Sequence, residues 1–191
     1  MDLEKRGVLN VFHGLMNILK QKRIQAGYVI VIIFILFSRI DTVFVLIGGI
    51  FVLAGILWRA WAAGYISKNK SIPFGGPYLL CRHPLYFGSF LMGIGTGIMC
   101  GNLVFPFLVI IFFVFAYFPL MKDEENKLID IFNEEYRSYA AAVPMFIPFY
   151  RSSLKPNSEF DWNLVIKNKE YRAWFGILTF IIFFVIKNSM A

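Results

Sequence analysis

Residues 75–99, GGPYLLCRHPLYFGSFLMGIGTGIM, decide how this chain is read, because they pass from a glycine-proline turn through Arg82, His83 and two tyrosines directly into an apolar stretch of helical length. An ionised group in hydrocarbon costs at least about 2.5 kcal/mol unless it is paired or reaches water. Charge at the mouth of an apolar helix therefore needs a reason, and a bound polar ligand is one. The apolar character extends in both directions. With 58% hydrophobic residues and 22 phenylalanines in 191 residues, the composition points to a bilayer rather than water as the solvent.

Five apolar segments are expected to span: residues 24–38, 42–58, 85–99, 103–120 and 173–186. The first two form a hairpin turning at residues 38–41, and the next two form a second hairpin around Cys100, Gly101 and Asn102. The shorter ones cover only about 22–26 Å at about 1.5 Å per residue, against a hydrocarbon core of about 30 Å, so local thinning or snorkelling is expected. The last segment also has the length of an interfacial or re-entrant helix. The fold class is all-α, a polytopic membrane protein forming one domain over residues 1–191: an interfacial helix (1–23), a first hairpin (24–58), a core with the second hairpin (75–148) and a C-terminal segment (149–191). No cleavable leader is expected, since the first 23 residues carry five basic side chains and no long apolar run.

With five spans, 17 of the 19 basic residues fall on one side, which the positive-inside rule makes cytoplasmic. The formal charge of +7 then reads as a surface facing anionic lipid. Nucleic acid is set aside, because the basic residues are scattered among the spans with no binding motif. Cys81 and Cys100 are too few for a disulfide framework and fall on opposite sides, and with only His13 and His83 besides, no metal site is expected.

Val8, Leu9, Phe12, Leu15, Met16 and Leu19 recur at helical spacing, hence the interfacial helix, with His13 on its polar face. Residues 123–142 repeat a helical pattern with Glu124 and Glu125 in the expected first turn, where acidic side chains complement the helix dipole. Pro144 and Pro148 follow as helix breakers. The loop with Arg82 and His83 and the helix start with Glu124 and Glu125 should then lie on the same face, separated by one hairpin. Arg82 can grip a carboxylate, His83 can donate or accept at neutral pH, and a glutamate can hold an ammonium, which together suit a zwitterionic amino-acid moiety.

These two blocks, GPYLLCRHPLYFG at 76–88 and DEENKLIDIFNEEYRSYAAAVPMFIP at 123–148, resemble the membrane methyltransferases typified by isoprenylcysteine carboxyl methyltransferase and phosphatidylethanolamine N-methyltransferase. The resemblance covers about residues 55–148. It implies an S-adenosylmethionine pocket at the cytosolic face and a lipophilic or lipidated acceptor entering from the membrane. The family's cofactor residues map onto Tyr78, His83, Pro84, Leu85, Tyr86 and Glu124, with Gly76, Arg82 and Glu125 in the same motifs; His83 and Glu124 are also candidate catalytic groups. Arg59, beside Trp58 and Trp61, is a third, placed to neutralise an acceptor carboxylate or lipid phosphate, or else to snorkel at the interface. The chain departs from the carboxyl methyltransferases at Leu120, where they carry a substrate-associated arginine; Lys122 is the nearest basic residue. This leaves the acceptor open among prenylated cysteine carboxylate, aminophospholipid and other lipophilic molecules.

Two other readings stand beside this one. Sterol and steroid reductases resemble the family in their C-terminal halves but use NADPH, whose phosphates would favour more basic residues than Glu124 and Glu125 leave here. A non-catalytic membrane protein would need Arg82 only as an interfacial anchor and Pro84 only as a helix start, which accounts for each residue singly but not for their co-occurrence. Gly88, Gly93, Gly95 and Gly97 are expected to permit close helix packing.

Overall fold

A computed structural model describes residues 22–39, 41–66, 72, 74–149 and 154–190. The interfacial helix expected over residues 1–23, with His13, falls almost wholly outside them. The described residues form helices and no strands: α1 (Arg23–Phe37), α2 (Thr42–Ala63), a 3-10 turn (Gly76–Leu79), α3 (Pro84–Met99), α4 (Val104–Phe112), a π turn (Phe113–Tyr117), α5 (Phe118–Ala142), α6 (Trp162–Lys167) and α7 (Tyr171–Ser189). All five apolar segments are thus helical. Among the described residues, two helices combine the length and apolarity to cross a membrane, α2 at 22 residues and the continuous α4–α5 rod at 39, while α1 and α3 are shorter apolar helices. The second segment extends to Ala63, past the expected end at residue 58, so its length is ample rather than marginal.

The outer faces are those of a protein in lipid. On α2, Leu46, Ile50, Leu53 and Leu57 form an exposed stripe at helical spacing, and Phe107 and Val114 are exposed on the α4 rod. Contiguous apolar surface on this scale is not sustained in water. The buried counterpart is a cluster of Phe34, Val52, Met99, Phe105, Val109, Phe180 and Phe184, which ties α1, α2, α3, α4 and α7 together.

The α2–α3 seam sets the position of everything above it. A Cβ on Gly95 would lie 2.5 Å from the Gly48 carbonyl oxygen, and one on Gly55 would lie 2.7 Å from that of Gly88. The two glycines on each helix are seven residues apart, so a single antiparallel register brings both pairs together and the backbones touch. Gly97 instead meets the backbone of Pro106, and Gly93 the side chain of Val109, on the α4 side. The α3 glycines therefore serve two opposite faces. Gly95→Val should cost about 1–3 kcal/mol through overpacking, since the obstacle is backbone and cannot rotate away; a drop in melting temperature in detergent with unchanged helicity checks it.

One expectation needs correction. Residues 123–142 do not begin a helix: the fourth apolar segment continues through the π turn into α5 without a break, so Glu124 and Glu125 sit inside a helix and not in its first turn. Their placement owes nothing to a helix dipole. The π turn, where Phe113 and Tyr117 stack with centroids 4.3 Å apart, shifts the register of all that follows. Asn133, at φ 45° and ψ −119°, interrupts the helical dihedrals of α5. Beyond it Tyr136, Tyr139 and Val143 pack with Ile72 at the end of the bundle that holds the motif loop.

Candidate active site

The loop before α3 is built on Gly76, whose φ of +52° is a left-handed conformation and whose missing Cβ leaves room for the Tyr65 ring. The 3-10 turn that follows buries Pro77 and Tyr78. The phenol of Tyr139 donates to the Tyr78 carbonyl at 2.7 Å. Pairing with the segment after α5 holds the loop from the other side: Arg82 and His83 donate their backbone N–H to Pro144 and Met145 at 2.9 and 3.2 Å, and Phe149 donates to Leu80 at 2.9 Å. Pro84 then starts α3 where its missing N–H costs nothing.

This scaffold brings the two motifs into contact. The Nε of Arg82 lies 2.6 Å from Oε1 of Glu125. The Nε2 of His83 lies 3.3 Å from the same oxygen, and its Nδ1 lies 3.9 Å from Oε2 of Glu124. Tyr86 donates its hydroxyl to Oε1 of Glu124 at 2.7 Å. Arg82 also clamps the end of α5, its Nη1 donating to the carbonyls of Ala140 and Val143. A cleft of about 360 Å³ opens beside it, lined by Arg82, residues 140–144 and Phe149.

Despite these short separations, Arg82 Nε, His83 Nε2 and Glu125 Oε1 are buried without a directed hydrogen bond among the described residues. Arg82 Nε and Glu125 Oε1 attract as opposite charges, and His83 Nε2 lies against the same oxygen. The His83 side chain is only 6% exposed, whereas that of Glu124 is 42% exposed and open to a ligand.

The other expected residues have different surroundings. Tyr78 is buried, and that burial, with Tyr139 and Cys81 nearby, raises its phenol well above the usual range; it is a packing residue of the loop. Cys81 is fully buried and its thiol is pushed from about 9 up to about 12. A raised value favours the protonated folded state, so this contribution to stability is complete below pH 9 and lost as pH climbs from 9 towards 12. We expect alkylation of Cys81 to be slow in the native protein at pH 8 and to accelerate whenever the loop opens. Mass-spectrometric labelling reads this directly, and fast native labelling would contradict the buried placement.

Arg59 lies beneath the first turn of α3. It forms a two-pronged pair with Glu170, Nε to Oε2 at 2.9 Å and Nη2 to Oε1 at 2.8 Å, while Nη1 donates to the Leu85 carbonyl at 3.1 Å and to Ser89 Oγ. The side chains are 19% and 5% exposed. The fork that could have met an acceptor carboxylate is occupied from within the chain. Glu170 and Ser89 were not picked out in the sequence. The only signal for Glu170 was an acidic residue alone among Lys167, Lys169 and Arg172, and its partner is 111 positions away.

Residues 42–135, which contain Arg59, the motif loop and both glutamates, match the family described as phospholipid methyltransferase. The chain belongs to this family. It is similar to the cobalt-zinc-cadmium resistance protein CzcN of Cupriavidus metallidurans, 37% identical over 92 residues, which are 47% of this chain and 42% of that protein. It is also similar to protein-S-isoprenylcysteine O-methyltransferase of Mus musculus, 36% identical over 86 residues, 44% of this chain and 30% of that one. Methanethiol S-methyltransferase 1 of Bradyrhizobium diazoefficiens is 38% identical over 76 residues, 39% and 25% of the two chains. The chain thus spans less than half the length of each of these relatives. No solved structure matches it. Membership in the phospholipid methyltransferase family implies a methyl donor. Glu170 lies beyond the family match, so the C-terminal segment adds a buried charge to a site whose other residues lie inside it.

Proposed function

We propose that the chain is a multi-pass integral membrane methyltransferase that uses S-adenosylmethionine and methylates a lipophilic acceptor reaching the site from the bilayer, with its cofactor pocket towards the cytoplasm. The observation that carries this reading is the meeting of Arg82, His83 and Tyr86 with Glu124 and Glu125 across 38 or more residues of sequence. The segregation of 17 of 19 basic residues supports the orientation.

The residues fit such a donor. Glu124, already fixed by the Tyr86 hydroxyl, would hold an ammonium group. Arg82 lies against Glu125 and donates from Nη1 to the end of α5, and its guanidinium would also meet a carboxylate. The donor supplies an electrophilic methyl group on a sulfonium, transferred by in-line displacement. The protein's part is alignment and exclusion of water. A carboxylate acceptor needs no base, whereas an amine or thiol must lose a proton, for which His83, beside Glu124 and Glu125, is the candidate base. For the acceptor's hydrocarbon chain, an apolar cleft of about 320 Å³ lies between α1 and α4, lined by Ile30, Phe34, Leu108 and Phe112 among others. Phe112 packs on Tyr117 and Tyr117 on Tyr86, so aromatic contacts run from that cleft to the hydroxyl on Glu124.

Thermal stability of the purified protein with S-adenosylhomocysteine or NADPH tests the reading. Stabilisation by the first and not the second is expected. The reverse result would move the chain to the reductases, and indifference to both would remove it from the enzymes.

A further inference from the structure

The segment from Trp162 to Arg172 combines features that the proposed chemistry does not use. Helix α6 is pinned to the end of α2 on one side only: Val165 packs with Ala60 and Ala63, Asn168 donates to the carbonyls of Ala63 and Ile66, and Asp161 donates its N–H to the Gly64 carbonyl. Among the described residues its other side is largely exposed, with Trp162 meeting only the edge of Phe160. Trp162 and Ile166, one helical turn apart, are 64% and 67% exposed.

The end of α6 is closed by a Schellman arrangement, with Glu170 N–H bonded to the Val165 carbonyl and Lys169 N–H to that of Ile166. The residue in the left-handed position of such a cap is usually glycine. Here it is Lys169, at φ +59° and exposed. A lysine held where glycine would be unstrained points to a use for its charge. Lys167 and Arg172 flank it, also exposed, and none of the three meets a carboxylate among the described residues. Within residues 162–175 the sole acidic residue is Glu170, which is buried against Arg59.

We propose that Trp162, Ile166, Lys167, Lys169 and Arg172 form a binding surface for anionic phospholipid headgroups. The apolar pair would enter the leaflet while the three cations meet the phosphates. Charge complementarity selects an anionic partner, and the exposed indole selects a lipid surface over a soluble anion. Exposed apolar residues also occur near the end of α2, at Leu57 and Trp61, and along α7, at Trp174, Phe175 and Leu178. This inference stands apart from the methyl-transfer reading, since none of the five residues is assigned to that site.

The test places the full chain in nanodiscs containing brominated phosphatidylglycerol or brominated phosphatidylcholine and takes the part of tryptophan quenching that disappears in Trp162→Phe. The wild type should prefer the anionic lipid by about threefold or more, with the preference falling as salt rises. The triple variant Lys167→Gln, Lys169→Gln, Arg172→Gln should quench the two lipids alike. Lys169→Gly should weaken the preference while keeping or raising the melting temperature, because it relieves the backbone as it removes the charge; a folding defect cannot mimic that pair of results. Equal quenching in the wild type, no Trp162-dependent quenching, or an undiminished preference in the triple variant would overturn the proposal.

Discussion

Glu170→Ala is expected to destabilise the protein by about 3–5 kcal/mol, the cost of leaving a buried charge without its partner. Arg59 passes against Gly88, where a Cβ would sit 2.5 Å from its Cγ, so the stem of its side chain is held in the α2–α3 seam. What remains after the substitution is a guanidinium held only by Leu85 and Ser89. The double variant Arg59→Met, Glu170→Met removes both charges and should recover most of the loss, since a buried pair is costly to break but not to replace. Thermal or denaturant unfolding of the four proteins in one detergent forms the double-mutant cycle. Strict additivity of the two single effects would show that the pair contributes no coupling. Because Arg59 also holds the carbonyl of Leu85, next to Tyr86, the single variant should loosen the start of α3 and weaken binding of S-adenosylhomocysteine. The double variant then separates charge from packing: restored stability without restored binding would assign Arg59 a role at the site itself.

The second large effect is expected at the cluster. His83→Ala and Glu124→Ala should each weaken S-adenosylhomocysteine binding by roughly tenfold to a hundredfold, the range for losing a hydrogen bond to a charged group, with little change in helicity. The two should differ in stability. Glu124 is largely open and its removal frees only the Tyr86 hydroxyl, whereas His83 is buried and its removal leaves a void beside Arg82 and Glu125. Calorimetry on both variants, with circular dichroism as the folding control, reads binding and structure separately. Wild-type affinity in both would end the assignment of these residues to the cofactor site.

Much of this was legible in the chain itself. The apolar segments announce their helices because uninterrupted hydrophobic runs in lipid have no other way to satisfy the backbone. Arg82, His83, Tyr86, Glu124 and Glu125 could be grouped from their positions at opposite ends of one hairpin. The α3 glycines were recognisable as packing residues, but not Gly48 and Gly55, which two of them meet; that followed from the α2–α3 register. The helix start assigned to residue 123 went wrong because the rise in polarity there was taken for a boundary. Polarity marks where the surroundings change, and the backbone hydrogen bonds continue through it. Arg59 reads in the sequence as a group for an acceptor carboxylate or lipid phosphate, or as an interfacial snorkel, and nothing local identifies Glu170 as its partner.

Local chemistry in the chain by itself determined that it is helical, that it belongs in a membrane, and that charged residues flank two apolar runs; composition and short-range spacing carry those properties. Tertiary structure alone decided which charges pair. Arg59 with Glu170, Arg82 with Glu125 and Tyr86 with Glu124 are contacts between distant segments whose separation depends on the crossing of α2 with α3 and on the continuation of α4 through the π turn into α5. An ion pair forms only within a few ångströms, and no local preference of the residues involved sets a distance across a hundred positions of chain.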